Sequence, residues 1–183
     1  MKRFFSVKKI TIMSLFVSII SVCAWISFAT VIPVTLQLFG VLIATYFLPT
    51  MCAVVTVLVY LLLGAVGVPV FSLFRGGISH LMGVTGGFLI GFLFTALLSG
   101  MLLKKYHKTF LGCVFSFSVG TFCCYIFGIV WYVFVSGGEF SFAGVLGACL
   151  SCVLPFVPFD LIKIFFAALF VRRFKRMRVK INE

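Results

Sequence analysis

Long apolar runs separated by clusters of lysine and arginine make up most of this 183-residue sequence. That pattern leaves few folds open. Inside a bilayer every backbone N–H and C=O must find a partner within the chain, so only helices and closed barrels span it. A spanning helix needs about 20 apolar residues, with a range of about 17–25, and runs of that order recur here. Hydrophobic residues make up 63% of the chain and charged ones 10%, whereas soluble domains carry roughly 25% charged residues. The sequence predicts an all-α integral membrane protein, a single transmembrane domain over residues 1–183 with no soluble part.

The runs fall at about 10–30, 34–48, 51–66, 86–103, 110–135 and 142–171, followed by a basic tail at 172–183. The first is too long for a signal peptide and lacks a small-residue cleavage site, so it is expected to be a retained span. The stretch 34–66 is long for one span and short for two, and only Pro49 interrupts it. Charge decides between the two. Bases cluster at Lys2, Arg3, Lys8 and Lys9, at Lys104, Lys105 and Lys108, and from Arg172 to Lys180. Cytoplasmic loops carry an excess of Lys and Arg. Two short spans turning at Leu48-Pro49-Thr50 put all three clusters on one side, whereas a single span divides them. Six transmembrane helices with both termini cytoplasmic are therefore expected, with thirteen of the fifteen bases inside. The last span is expected to break at Pro155 and Pro158. A net charge of +12 arranged in this way reads as membrane topology, not as nucleic-acid binding.

The two bases outside this pattern are Arg75, in the external connection between the third and fourth spans, and Lys163, in the sixth. Lys163 follows the only aspartate, Asp160, by three residues in an apolar segment. A charge at the centre of a membrane helix costs about 2.5–3.5 kcal/mol on insertion scales, so the pair needs a reason. Residues i and i+3 share a helix face. An internal ion pair and a polar recognition site are both compatible with that spacing. Aspartate accepts N–H bonds and lysine donates to a carbonyl or carboxylate, which would suit an amide or urea ligand. Arg75 reads either as a solvated loop residue or as a partner for an anionic ligand arriving from outside.

The external connection is rich in glycine: Gly64 and Gly67, then Arg75-Gly76-Gly77, then Gly83-Val84-Thr85-Gly86-Gly87. Such a segment can wrap closely over a ligand. It contains no GxxxxGK[ST] phosphate loop, and neither does the rest of the chain. Gly83, Gly87 and Gly91, and likewise Gly120, Cys124 and Gly128, recur every four residues, a spacing that allows membrane helices to approach closely. The fourth and fifth spans are expected to pack on these faces. Ser14 and Ser18 repeat the spacing on the first span, where they read as an outward docking groove. Gln37, Tyr125 and Trp131 are polar groups in apolar surroundings, either core and interfacial residues or ligand contacts. His80 and His107 stand alone, and the seven cysteines, the Cys149-x-x-Cys152 pair included, read as small hydrophobes. No metal site is expected. With Glu139, Asp160 and Glu183 the only acids, and no HExxH or GxSxG motif, neither is an enzyme.

The stretch from Tyr60 to Phe71, YLLLGAVGVPVF, with Gly83-Val-Thr-Gly-Gly-Phe-Leu-Ile-Gly-Phe92 after it, resembles the signature of BioY, the biotin-specific substrate-binding (S) component of energy-coupling-factor (ECF) transporters. Ile32-Pro-Val-Thr-Leu-Gln37, Tyr125-Ile-Phe-Gly128 with Trp131, and Leu154-Pro-Phe-Val-Pro-Phe-Asp-Leu-Ile-Lys163 match in the same order. The resemblance covers roughly residues 10–171. It implies a compact six-helix protein of the cell membrane that binds biotin from outside. It also implies partners: a transmembrane T subunit and two ATPases, which use the ATP, so that this chain binds no cofactor itself. Ser14 and Ser18 occupy the place of the family's small-residue motif for docking the T subunit. The biotin site implied comprises Asp160, Lys163, Arg75, Gln37, Tyr125 and Thr85. Asp160 would accept the ureido N–H groups, Lys163 would meet the carbonyl and Arg75 the valerate carboxylate, or the carboxylate would lie on Lys163 instead. Val84 stands where the family has proline, Ser72-Leu73-Phe74 where it has small residues, and Phe159 where it has glycine. Phe159 is therefore expected to crowd the site. The competing readings are an S component for another vitamin or a biotin precursor, and a ligand-free membrane scaffold.

Overall fold

The computed structural model describes residues 7–28, 34–136 and 142–174, with the backbone alone at 28, 142 and 143. Lys2, Arg3, Ile32, Pro33, Glu139 and the tail from residue 175 lie outside the described residues. The first helix, α1, spans Val7–Trp25. It ends before residue 30 because the chain turns extended: β1 (Ser27–Phe28) pairs antiparallel with β2 (Val34–Thr35), Ser27 opposite Thr35. Nothing in the apolar run marks that change. It is fixed from outside, by Trp25, whose indole N–H donates to the Pro69 carbonyl at 2.8 Å and whose ring stacks on Phe74.

The ambiguous stretch forms two helices, α2 (Gln37–Phe47) and α3 (Thr50–Ala65). The break is local chemistry. A residue before proline is pushed out of the helical region, and Leu48 is extended, with φ −91° and ψ 150°. Every residue of α2 except Phe39 is buried. Its 11 residues extend about 16 Å at 1.5 Å per residue, half the thickness of a bilayer core. It is a central helix wrapped by the others.

After a Gly-rich connection containing a one-turn helix, α4 (Ile78–Leu81), come α5 (Gly86–Tyr106) and α6 (Phe110–Val135). The four-residue spacing of small residues works as expected within α5 and α6, while Gly83 lies before α5 in the external connection. A Cβ at Gly91 would lie 2.8 Å from the Cys124 sulfur, one at Gly128 would strike the Phe88 ring, and one at Gly87 would strike Trp131. Close approach lets hydroxyls cross between the backbones: Thr95 Oγ1 donates to Gly120 O at 3.0 Å and Ser99 Oγ to Ser116 O at 3.0 Å. The last segment is two helices, α7 (Phe142–Cys152) and α8 (Val157–Arg173), bent by 54° at the expected break. Helix α8 runs two residues beyond the expected end, to Arg173.

Among the described residues, α1, α5 and α6 are long and apolar enough to cross a membrane, and α7 with α8 makes a fourth crossing if counted as one broken span. Each of the six apolar segments contains a helix, but helix length alone does not make six crossings of them. The seven cysteines are unbridged, and four of them, Cys52, Cys113, Cys124 and Cys152, are buried.

Candidate functional site

Helix α8 places Asp160 in its first turn, where the positive end of the helix dipole favours a carboxylate. Asp160 and Lys163 are 6% and 7% exposed. Lys163 Nζ lies 2.6 Å from Asp160 Oδ1, and the Tyr125 hydroxyl donates to Oδ2, also at 2.6 Å. The pair is thus an internal ion pair, with a third member supplied by α6. All three residues also line a cavity of about 650 Å³, its open mouth included. The ion pair therefore borders open space and is not sealed in packing.

The cavity is walled by the starts of α2 and α5, the middle of α6 and the start of α8. Gln37 and Thr85 line it, as do the apolar rings of Phe88, Phe92 and Phe156. Polar groups gather on the α2, α6 and α8 side and rings close much of the rest. A carboxylate oxygen has two lone pairs and an ammonium three donors, so neither Asp160 nor Lys163 is saturated by its partners. The site can accept N–H bonds and donate to a carbonyl at adjacent positions. A urea or amide has that complement.

Arg75 is exposed and outside the lining. Its charge reaches the cavity only through His80. Half-buried His80 has its pKa lowered below 6.5, first by burial and then by the Arg75 cation. His80 lines the cavity and stacks on Phe71 with centroids 5.3 Å apart. Sequence reasoning left His80 isolated; only the folding of the external connection brings it in, together with Ser72. Leu73 and Phe74 there adopt φ of 57° and 56°, a conformation costly for side chains with a Cβ. The Phe74 ring on Trp25 and the Pro69 carbonyl on the Trp25 indole hold the segment to α1.

Phe159 does not crowd the site. It is 48% exposed and absent from the lining, where Phe156 stands instead. Phe156 is four residues before Asp160, on the same face, and a neighbour in sequence is turned about 100° away at 3.6 residues per turn. That much was readable from the helical repeat. Ser14 and Ser18 are exposed on α1, far along the chain from these cavity residues, each hydroxyl bonded to the carbonyl four residues earlier.

A sequence profile of the BioY family matches residues 1–180. The chain belongs to the BioY family. The biotin transporter BioY of Thermotoga maritima is 38% identical over 167 residues, covering 91% of this chain and 95% of that protein. The probable biotin transporter BioY of Pyrococcus horikoshii is 34% identical over 167 residues, with the same coverage of both chains. Among solved structures, the S-component for biotin from an ECF-type ABC transporter matches with a TM-score of 0.84 and 26% identity, covering 96% of this chain and 95% of that one. The family is one of transporters, and no catalytic activity attaches to it. The BioY-like motifs, scattered in sequence, converge: Gln37, Thr85, Tyr125, Asp160 and Lys163 line one cavity. Trp131 serves at a distance, its indole N–H donating to Gly83 O at 2.9 Å and so tying the start of α5 to α6.

Proposed function

We propose that this chain is the substrate-capture subunit of a biotin transporter, binding biotin in the cavity on the external side and passing it across the cell membrane. The observation that carries the reading is the buried Asp160–Lys163–Tyr125 cluster opening into an aromatic-walled cavity. Biotin has two ureido N–H donors and one ureido carbonyl. Asp160 accepts an N–H and Lys163 donates to the carbonyl, while Gln37, Tyr125 and Thr85 complete the polar contacts. The fused rings lie against Phe88, Phe92 and Phe156. The valerate carboxylate extends toward the rim and Arg75.

The whole chain forms one transmembrane domain crossing the membrane six times, with both termini in the cytoplasm. Contacts support this arrangement: Arg172, ending α8, lies over the Phe110 ring that opens α6, and Thr50, opening α3, packs on Gly100 near the end of α5. The basic clusters at these helix ends therefore gather away from the cavity. A T subunit docks on the Ser14 and Ser18 face of α1, and two ATPases supply the energy, so this chain needs no cofactor. The test is equilibrium binding of biotin to the purified protein. Tight binding that weakens about 10- to 100-fold in Asp160→Asn is expected, as for a hydrogen bond to a charged group. Absence of biotin binding by the folded wild type overturns the proposal, and binding of a different vitamin in its place reassigns the substrate.

A further inference from the structure

Tyr60 is fully buried and does not line the cavity, yet its hydroxyl stands between the site and the external connection. The hydroxyl donates to the Val70 carbonyl at 2.9 Å and receives a bond from Gln37 Nε2 at 2.6 Å. The direction of this relay follows from the groups. A carbonyl can only accept, so the single Tyr60 proton goes to Val70, and toward Gln37 the oxygen must accept. That requirement turns the amide's NH2 toward Tyr60 and leaves Oε1 as the acceptor the amide can offer a ligand. Gln37 is 4% exposed and lines the cavity. Phe71, adjacent to Val70, packs edge-on against the Tyr60 ring at 5.6 Å and stacks on His80, so the relay is braced.

We propose that Tyr60 is a positioning residue that fixes the orientation of the Gln37 amide, so that Gln37 presents an acceptor to a ureido N–H of the ligand. The inference rests on the biotin reading. Gln37 and Asp160 then serve as two acceptors for two N–H donors, with Lys163 as the donor for the carbonyl between them. Without the Tyr60 hydroxyl the amide is free to flip and meet the ligand with its NH2 face, donor against donor. Polar atoms left unpaired in a buried site are what reject a wrong ligand.

The experiment is a double-mutant cycle for biotin binding on Tyr60→Phe, Gln37→Leu and the double variant, with Asp160→Asn measured beside them and thermal unfolding recorded for each ligand-free protein. Tyr60→Phe is expected to weaken binding about fivefold to tenfold, as for a lost hydrogen bond. Gln37→Leu should weaken it at least as much, and the double variant should match Gln37→Leu alone, because Tyr60 acts through Gln37. Additive losses, or unchanged affinity in Tyr60→Phe, overturn the positioning role, while weakened binding in Asp160→Asn leaves the biotin reading standing. If the folded wild type binds no biotin, the reading and this role fall together. Should Tyr60→Phe not fold, the wild type supplies its own probe, since Gln37 is the only glutamine in the chain. In a sample labelled with nitrogen-15 at the glutamine side chain, a single amide signal with slow solvent exchange, shifted by biotin, is expected. A rapidly exchanging signal, or one indifferent to biotin, overturns the proposal.

Discussion

The two sides of the cavity are built by opposite means. Where α5 meets α6, small residues remove side chains from the contact: Gly91 against Cys124, Gly120 against Ser99, Gly128 against Phe88. The polar groups there are hydroxyls that spend themselves on backbone carbonyls, leaving little for a ligand. Where α8 meets α6 and α2, charge and amide groups are buried with unspent capacity. The first wall gains close packing from backbone approach. The second retains groups whose burial is costly unless paired, and those are the groups able to recognise something. On the biotin reading, stability and recognition are divided between two walls of one cavity.

Lys163→Ala should break this contrast most strongly. It leaves Asp160 buried with Tyr125 alone and should cost about 3–5 kcal/mol, the usual penalty for an orphaned buried charge. Thermal and denaturant unfolding in detergent measure it; a loss near zero would mean that water already reaches the carboxylate. Asp160→Asn keeps a group of the same shape beside Tyr125. It should weaken biotin binding by about 1.5–3 kcal/mol, with a smaller effect on unfolding than Lys163→Ala. On the packing wall the order reverses. Gly91→Val forces a side chain against Cys124 and should lower stability by about 1–3 kcal/mol through overpacking, while the surviving folded protein still discriminates biotin. If Gly91→Val and Asp160→Asn reduced stability and affinity in the same proportion, the division of labour would be refuted.

The smallest effect is on pH. Because the pKa of His80 is depressed in the folded protein, first by burial and then by Arg75, the unfolded chain takes up a proton first as pH falls below about 6.5. Stability should therefore decline from that point down to the folded pKa and level off below it. His80→Gln should flatten the decline in unfolding temperature between pH 7.5 and 5. An unaltered slope would assign it to another group, His107 being the other imidazole.

Much of this was legible because it depends on spacing along one helix. The Pro49 break, the bend near Pro155 and Pro158, the four-residue glycine pattern of α5 and α6, and the shared face of Asp160 and Lys163 are all local. Phe159 was misread for lack of the same rule, since a residue adjacent to Asp160 points elsewhere and the one four before it shares its face. The end of α1 was not legible, because Trp25 is captured by Pro69 and Phe74 from a connection more than forty residues away. His80 and the Tyr60 hydroxyl were not legible either, since their roles exist only once α3 and the external connection fold back onto α2.

By itself, the sequence determined the medium, the helical composition and the chemistry available: apolar runs must be helices in a bilayer, and a lone buried carboxylate must have partners. Its motifs also carried the family. The tertiary structure decided which groups meet. It brought Tyr125 to the second oxygen of Asp160, bonded Gln37 to Tyr60, left Arg75 outside the cavity lining and turned Phe159 away. Hydrogen bonds act over about 3 Å, and residues tens of positions apart come that close only when the helices have packed.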